Sequence, residues 1–341
     1  MSESNVNSLD SSKFAEAFGL LRDGRIDEAR QLILVLLGEA PDFPPLLQLA
    51  AVAALRAGDQ KSALALATKS LRLRPDHPAT LLIAGRAARE LSDLGGATDF
   101  FRSATRAAPD LAEPAFLLCA SLLDAGDDEA RVWLSQLPER FPDDAQGWGE
   151  IGLTLWRARR HEDSLSAFAR ACRAAPSCEL HLRRATVLRV LGRTGEAIAA
   201  YERAAALAPE SFDAAFGLGL LLKEASQFEA AAAALRNAIL LQPGAARAWF
   251  ALGVVEQDRR SISEAAAAYE KALEYEPAMA EAAVNLGICR QQQGDLDAAK
   301  SAYRRAMRVR PETFGRIAQA MTMAAKGELW LDLRALRASL M

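Results

Sequence analysis

The stretch that decides the fold runs from Ala248 to Pro277 and reads AWFALGVVEQDRRSISEAAAAYEKALEYEP. It contains two short helical patterns, a break at Asp258–Ser263 and a closing proline. The same sentence begins again at Glu281 and closes at Pro311, and the one before it closes at Pro243. A recurrence that spans the chain makes the protein an array of like units, and changes where a functional surface is sought.

The recurrence does span the chain. Pro41, Pro75, Pro109, Pro142, Pro176, Pro209, Pro243, Pro277 and Pro311 follow one another at intervals of 33 or 34 residues. Twelve residues before each proline stand Ala29, Ala63, Ala97, Ala130, Ser164, Ala197, Ala231, Ala265 and Ala299. Four residues after each of these come Ile33, Ala67, Phe101, Leu134, Phe168, Tyr201, Leu235, Tyr269 and Tyr303, a column that is apolar or aromatic throughout. The first half of the best-formed unit adds Trp249, Leu252 and Gly253, echoed by Leu218–Gly219 and Leu286–Gly287.

Each column has a physical reason. A proline cannot continue a helix, so it ends the second helix of each unit and sets the turn into the next. Gly24, Gly58, Gly126, Gly192 and Gly294 fall between the two helices, where a left-handed residue closes a helix C-terminus. The small column marks a close helix approach, and the aromatic one turn later fills the space beside it. A lone pair exposes its apolar stripe, so stacked neighbours must cover one another.

These columns together resemble the tetratricopeptide-repeat family, over about Asp10 to Thr313. The resemblance implies an all-α solenoid, a right-handed superhelix of about nine 34-residue helix-turn-helix repeats, the first degenerate. The expected organisation is a polar tail over 1–9, the array over 10–313 and C-terminal capping helices over 314–341. Two irregularities stand out. The repeat ending at Pro142 lacks one residue around Asp124–Glu129, and the repeat beginning near Cys178 is one residue short at its junction. They flank Ala145–Ser177 and predict a local change of twist or a joint there.

Composition agrees with this class. The 341 residues are 51% hydrophobic but only 6% aromatic, with Ala and Leu dominant, which favours helix. A formal net charge of -3 gives no electrostatic case for nucleic acid or an anionic membrane. No apolar run is long enough for a membrane span, and Met1–Ser12 has no secretion-signal pattern, so a cytoplasmic location is the default expectation. Cys119, Cys172, Cys178 and Cys289 show no C-x-x-C spacing and read as small buried hydrophobes. His77, His161 and His181 belong to no metal or catalytic motif, and phosphate-binding loops and nucleophile elbows are absent. No cofactor, no metal and no catalytic residue is expected, and the protein reads as a non-enzyme.

In the family, the first helix of each repeat lines a concave ligand-binding face. The positions that correspond here form two columns one turn apart on one helix face. They include Leu82, Phe116, Leu182, Phe216, Phe250 and Val284, then Arg86, Leu220, Val254 and Ile288. An apolar stripe facing water would be a binding surface for an amphipathic helix or an extended peptide. If the helices are rotated, the same stripe packs into the core. Arg86, Arg89, Arg183 and Arg189 would form a basic patch suited to acidic side chains, or stand as ordinary surface arginines. Two family chemistries fit poorly. The Lys/Asn clamp for a C-terminal carboxylate meets Leu, Phe and Val here, and of an asparagine ladder only Asn285 is present.

The last segment, Gly327 to Met341, places Trp330, Leu333, Leu336 and Leu340 at helical spacing. It predicts a cap on the ninth repeat or a docking helix for a second subunit or another protein. The functional expectation is a protein-interaction scaffold or adaptor that binds a protein or peptide segment. Its alternatives are a substrate-recruiting subunit of a separately encoded glycosyltransferase or methyltransferase, docked through the C-terminal helix, and a self-assembling homo-oligomer.

Overall fold

The computed structural model describes residues 11–323 together with 337 and 338. Every regular element among the described residues is helical, as an all-α solenoid requires. The chain divides into two compact units, Met1–Ala175 and Pro176–Met341. The division falls where the repeat spacing shortens, just before Cys178.

Unit 1 contains five helical pairs. They are α1 (Ser11–Arg22) with α2 (Ile26–Glu39), α3 (Pro44–Arg56) with α4 (Gln60–Leu73), α5 (Pro78–Glu90) with α6 (Leu94–Ala107), α7 (Ala112–Ala125) with α8 (Glu129–Arg140), and α9 (Ala145–Arg157) with α10 (His161–Ala174). Unit 2 contains four. They are α11 (Cys178–Val190) with α12 (Thr194–Leu207), α13 (Phe212–Glu224) with α14 (Phe228–Leu241), α15 (Ala246–Asp258) with α16 (Ile262–Tyr275), and α17 (Ala280–Gln293) with α18 (Leu296–Val309). A short 3-10 turn, Pro311–Thr313, leads into α19 (Phe314–Met323). Within each unit the helices of a pair pack together, and most second helices pack on the first helix of the next pair.

The sequence columns coincide with structural positions. Each second helix ends two residues before its proline, and the residue between them has left the helical region, as Ala40 with φ -137° and ψ 72° and Glu276 with φ -131° and ψ 84°, because the ring of a following proline disfavours it. The small column is buried in all nine repeats, from Ala29 to Ala299. Its first-helix counterpart is Ala17, Ala51, Gly85, Cys119, Gly152, Ala185, Gly219, Gly253 and Gly287, also buried throughout. A Cβ on Gly253 would lie 2.6 Å from the Tyr269 ring, and one on Gly287 2.3 Å from Tyr303. Aromatic rings of the second helix thus rest on the bare backbone of the first.

The inter-helix turn takes one left-handed residue in every repeat. Five are the glycines named above, and the other four are Ser92, Arg159, Ser226 and Arg260, with φ of 58–64°. The stacking geometry imposes the conformation even where no glycine relieves it. In the fourth repeat, shorter by one residue, Ala130 and Arg131 donate to Asp127 and Asp128 at 3.1 Å in tight i to i−3 bonds. The other second helices open with i to i−4 bonds, such as Ala97 N–H to Asp93 at 3.0 Å. Leu134, after the shortened turn, is only half-buried, and α9 packs on α7.

At the end of unit 2, Ile317, Ala318 and Met321 of α19 join the core that holds Tyr303, Ala306 and Met307, and α19 packs on α17. Trp330, Leu333, Leu336 and Leu340 lie outside the described residues, as does the tail over 1–9. Arg337 is described, and its guanidinium sits 5.5 Å over the Phe314 ring.

Candidate functional site

The groove positions on the first helices have two fates. In unit 1, Leu82 and Phe116 are buried, Phe116 with 1% exposure. The Phe116 ring meets Trp148 edge-on at 5.2 Å and lies against Gly147, where a Cβ would stand 2.3 Å from it. In unit 2, Phe216 and Leu220 on α13, Phe250 and Val254 on α15, and Ile288 on α17 are half-buried. Leu182 on α11 is half-buried too, whereas Val284 is enclosed in the core. Leu82, Phe116 and Val284 therefore belong to the core, a correction to their place on an open face, and the others keep part of their surface exposed.

The half-buried residues of unit 2 are rigidly held. Phe216 stacks on Phe212 with centroids 5.4 Å apart, and the Arg247 guanidinium lies 4.8 and 4.9 Å over the two rings. Arg247 also reaches Asp213 at 3.4 Å. Phe250 leans on the Tyr269 ring at 5.8 Å. Phe250, Val254 and Ile288 line a cavity of about 370 Å³ whose polar wall is Gln257, Asp258, Glu281, Asn285 and Arg316.

That wall is a hydrogen-bond relay. Tyr269 donates to Gln257, Asn285 Nδ2 donates to the Tyr269 hydroxyl at 3.1 Å, and Arg316 donates to Asn285 Oδ1 at 2.7 Å. Asn285 is thereby engaged on both amide atoms and is a poor ladder rung for a ligand backbone. One repeat later Tyr303 donates to Gln291 at 2.9 Å. Burial pushes both phenols up, so they remain neutral donors. Beside the relay, the Glu256 carboxylate is 1% exposed and sits between Arg236 and Arg259, the latter at 2.7 Å. Sequence reasoning missed these groups. The available signal was Gln257 and Gln291, each twelve residues before its tyrosine.

The arginines divide between the units and are largely spent within them. Arg86 pairs with Glu113 and Arg183 with Glu179, while Arg189 approaches Glu224 at 3.8 Å. Arg89 differs, because its Nη1 is buried without a hydrogen-bond partner among the described residues. Arg86, Arg89 and Phe116 line a cavity of about 610 Å³ in unit 1, with Glu90, Asp144 and Glu150 among its other walls.

The cysteine and histidine readings also have structural counterparts. Burial pushes the Cys119 and Cys289 thiols up to about 12, which makes them unreactive core groups. His181 occupies the column held by Trp148 and Trp249 in other repeats. It is buried, its Nδ1 has no partner, and its pKa is lowered by burial first and then by Arg184 and Arg203. Among the described residues no group of three or more His, Cys, Asp or Glu is arranged to hold a metal ion. No described helix is long and apolar enough to cross a membrane.

Two tetratricopeptide-repeat models match, one over residues 258–324 and the other over 49–112, 122–177, 182–224 and 220–260. Solved structures with similar folds include MamA, at 24% identity and a TM-score of 0.46, covering 48% of this chain and 96% of MamA. A MamA from Desulfovibrio magneticus RS-1 matches at 21% identity and a TM-score of 0.47, covering 50% of this chain and 97% of its own. YrrB, described as a repeat protein of this kind with an unusual peptide-binding site, matches at 21% identity and a TM-score of 0.48, covering 55% of this chain and 95% of its own. No curated protein matches the sequence. With the repeat models accounting for well over half of its length, and the small, aromatic and proline columns in register from the first pair to the ninth, the chain belongs to the tetratricopeptide-repeat family.

Proposed function

We propose that the protein is a non-catalytic interaction scaffold that binds an apolar segment of another protein on the first-helix face of unit 2. One observation carries the reading. Phe216, Leu220, Phe250, Val254 and Ile288, on three successive first helices, are left half-buried at the edge of the cores they pack against. A soluble protein seldom leaves a contiguous apolar strip open without a use for it.

The mechanism is burial of a partner's apolar side chains on a preformed surface. An amphipathic helix or an extended strand would set them against the two phenylalanines and into the cavity beside Phe250. The Arg247 lid on Phe216, the tyrosine relay and the buried Glu256 hold the surface in one arrangement. A rigid acceptor spares part of the ordering cost of association.

The test is a pull-down from lysate with wild type beside Phe216→Glu/Phe250→Glu, at matched helicity by circular dichroism. Capture of a protein by wild type and its loss from the variant is the expected result. Capture by both, or by neither, removes unit 2 as the recognition face.

A further inference from the structure

The first repeat carries the groove stripe in a form of its own. Phe14 and Phe18 on α1 stand where Phe250 and Val254 stand on α15, and Gln48 and Val52 hold the same two positions on α3. Phe14 is anchored in the core, its ring meeting Phe43 edge-on at 6.5 Å. Phe18, one turn later, is 59% exposed. Both rings, with Leu21, Leu49 and Val52, line a cavity of about 340 Å³ between α1 and α3. Apolar surface that continues into a cavity, rather than lying scattered, marks a binding site.

Three polar side chains share this cavity, and among the described residues none that lines it is a carboxylate. Arg56 donates to the Leu21 carbonyl, which fixes the guanidinium at the rim, and it has no carboxylate partner among the described residues. Arg22 meets its neighbour Asp23 at 3.3 Å, an exposed pair of little strength. Gln48 has no hydrogen-bond partner among the described residues, and its amide is not enclosed. Both arginines are exposed and Gln48 is half-buried, so a ligand reaches all three.

These groups discriminate between ligand classes. A simple anion would pair with Arg56 and leave the apolar walls wet. A fatty-acid-like amphiphile would suit the walls and Arg56 but would give the Gln48 carbonyl no donor. A basic segment would meet only like charge. An acidic stretch of polypeptide supplies an apolar side chain for the cavity, a carboxylate for Arg56, and a peptide unit whose N–H and C=O match the two ends of the Gln48 amide.

We propose that the cavity between α1 and α3 docks a segment of a partner protein in which a large apolar residue adjoins an aspartate or glutamate. The apolar side chain enters beside Phe18, the carboxylate pairs with Arg56, and Gln48 holds the backbone between them. The site belongs to unit 1 alone and does not rest on the reading of unit 2. Its one-signed charge sets the choice of partner, and its apolar walls set the anchor.

The experiment uses the full-length protein and short labelled peptides identical except for a central Phe-Glu, Phe-Lys or Ala-Glu, read by fluorescence anisotropy. The Phe-Glu peptide is expected to bind about tenfold tighter than either of the others, and raised salt is expected to erode its advantage over Phe-Lys more than its advantage over Ala-Glu. Arg56→Gln, which keeps a donor for the Leu21 carbonyl, is expected to abolish the preference for Glu over Lys and to keep that for Phe over Ala. Phe18→Ser, at an exposed position and checked for unchanged helicity, is expected to abolish the preference for Phe over Ala. Phe216→Glu/Phe250→Glu is expected to leave both preferences intact, and their loss in that variant would move the site to unit 2. Equal binding of Phe-Glu and Phe-Lys, a preference for Glu that survives Arg56→Gln, or no binding of any peptide overturns the proposal. So does binding that appears only when residues 1–9 are removed, which would give the cavity to the chain's own tail, or self-association that Phe18→Ser abolishes, which would give it to a second copy.

Discussion

Phe116 in unit 1 and Phe216 in unit 2 occupy the same place in their repeats, yet one is sealed in the core and the other is half-open. The difference lies one repeat downstream. Beside Phe116 the next first helix presents Gly147, and a Cβ there would stand 2.3 Å from the ring. The equivalent residues for Phe216 and Phe250 are Ala248 and Ala282, both buried. The missing methyl lets Phe116 sink, and Trp148 and Phe141 close on it. Ala248 and Ala282 carry a methyl where Gly147 has none, and Phe216 and Phe250 stay half-buried. At this position the residue brought by the next helix thus decides whether the phenylalanine sinks into the core or stays at its edge.

The largest test of this contrast is to truncate both rings. Phe116→Ala should cost about 3–5 kcal/mol, the range for a fully buried aromatic. Phe216→Ala should cost about 1–2 kcal/mol, since part of its surface is already exposed and less is lost on truncation. Chemical denaturation of each variant measures both, and similar costs would erase the distinction between the units.

A smaller effect comes from the residue held responsible. Gly147→Ala should lift Phe116 towards solvent at a cost of about 1–3 kcal/mol, the range for overpacking. The Trp148 indole, which meets the ring edge-on, reports the change through its fluorescence. An unchanged spectrum and unchanged stability would mean that Phe116 is buried for another reason.

The smallest effect separates the units by pH. His181 belongs to unit 2, and burial with Arg184 and Arg203 holds its pKa below the ordinary value. A depressed folded value means that the neutral form stabilises unit 2 fully above the unfolded value of about 6.5, and that this contribution is lost as pH falls through the folded value. Amide exchange in α11 and α12 should therefore accelerate on mild acidification, and His181→Phe should flatten the response. Equal pH slopes for wild type and His181→Phe would assign the acid sensitivity to other groups.

Much of the fold was legible because repetition samples each structural position nine times. The prolines and the small column located every helix pair, and the shortened spacing before Cys178 fell where the chain divides into its two units. The site was legible only in part. Helical spacing placed Phe216, Leu220, Phe250, Val254 and Ile288 on one face, but it placed Phe116 and Val284 there as well. Spacing gives the direction of a side chain from its own helix and carries no information on what the neighbouring helix brings to meet it.

The sequence by itself determined the class, the period, the helix ends and the family, because these depend on local steric rules that act along one repeat. Only the tertiary structure decided which groove residues stay open, which arginines are neutralised and which buried groups lack partners. Arg86 finds Glu113 and Arg236 finds Glu256 from different helices, and Arg89 Nη1 finds no acceptor among the described residues. Whether such groups meet depends on distances of a few ångströms between helices, and those distances follow from how the small and aromatic columns of adjacent repeats pack together.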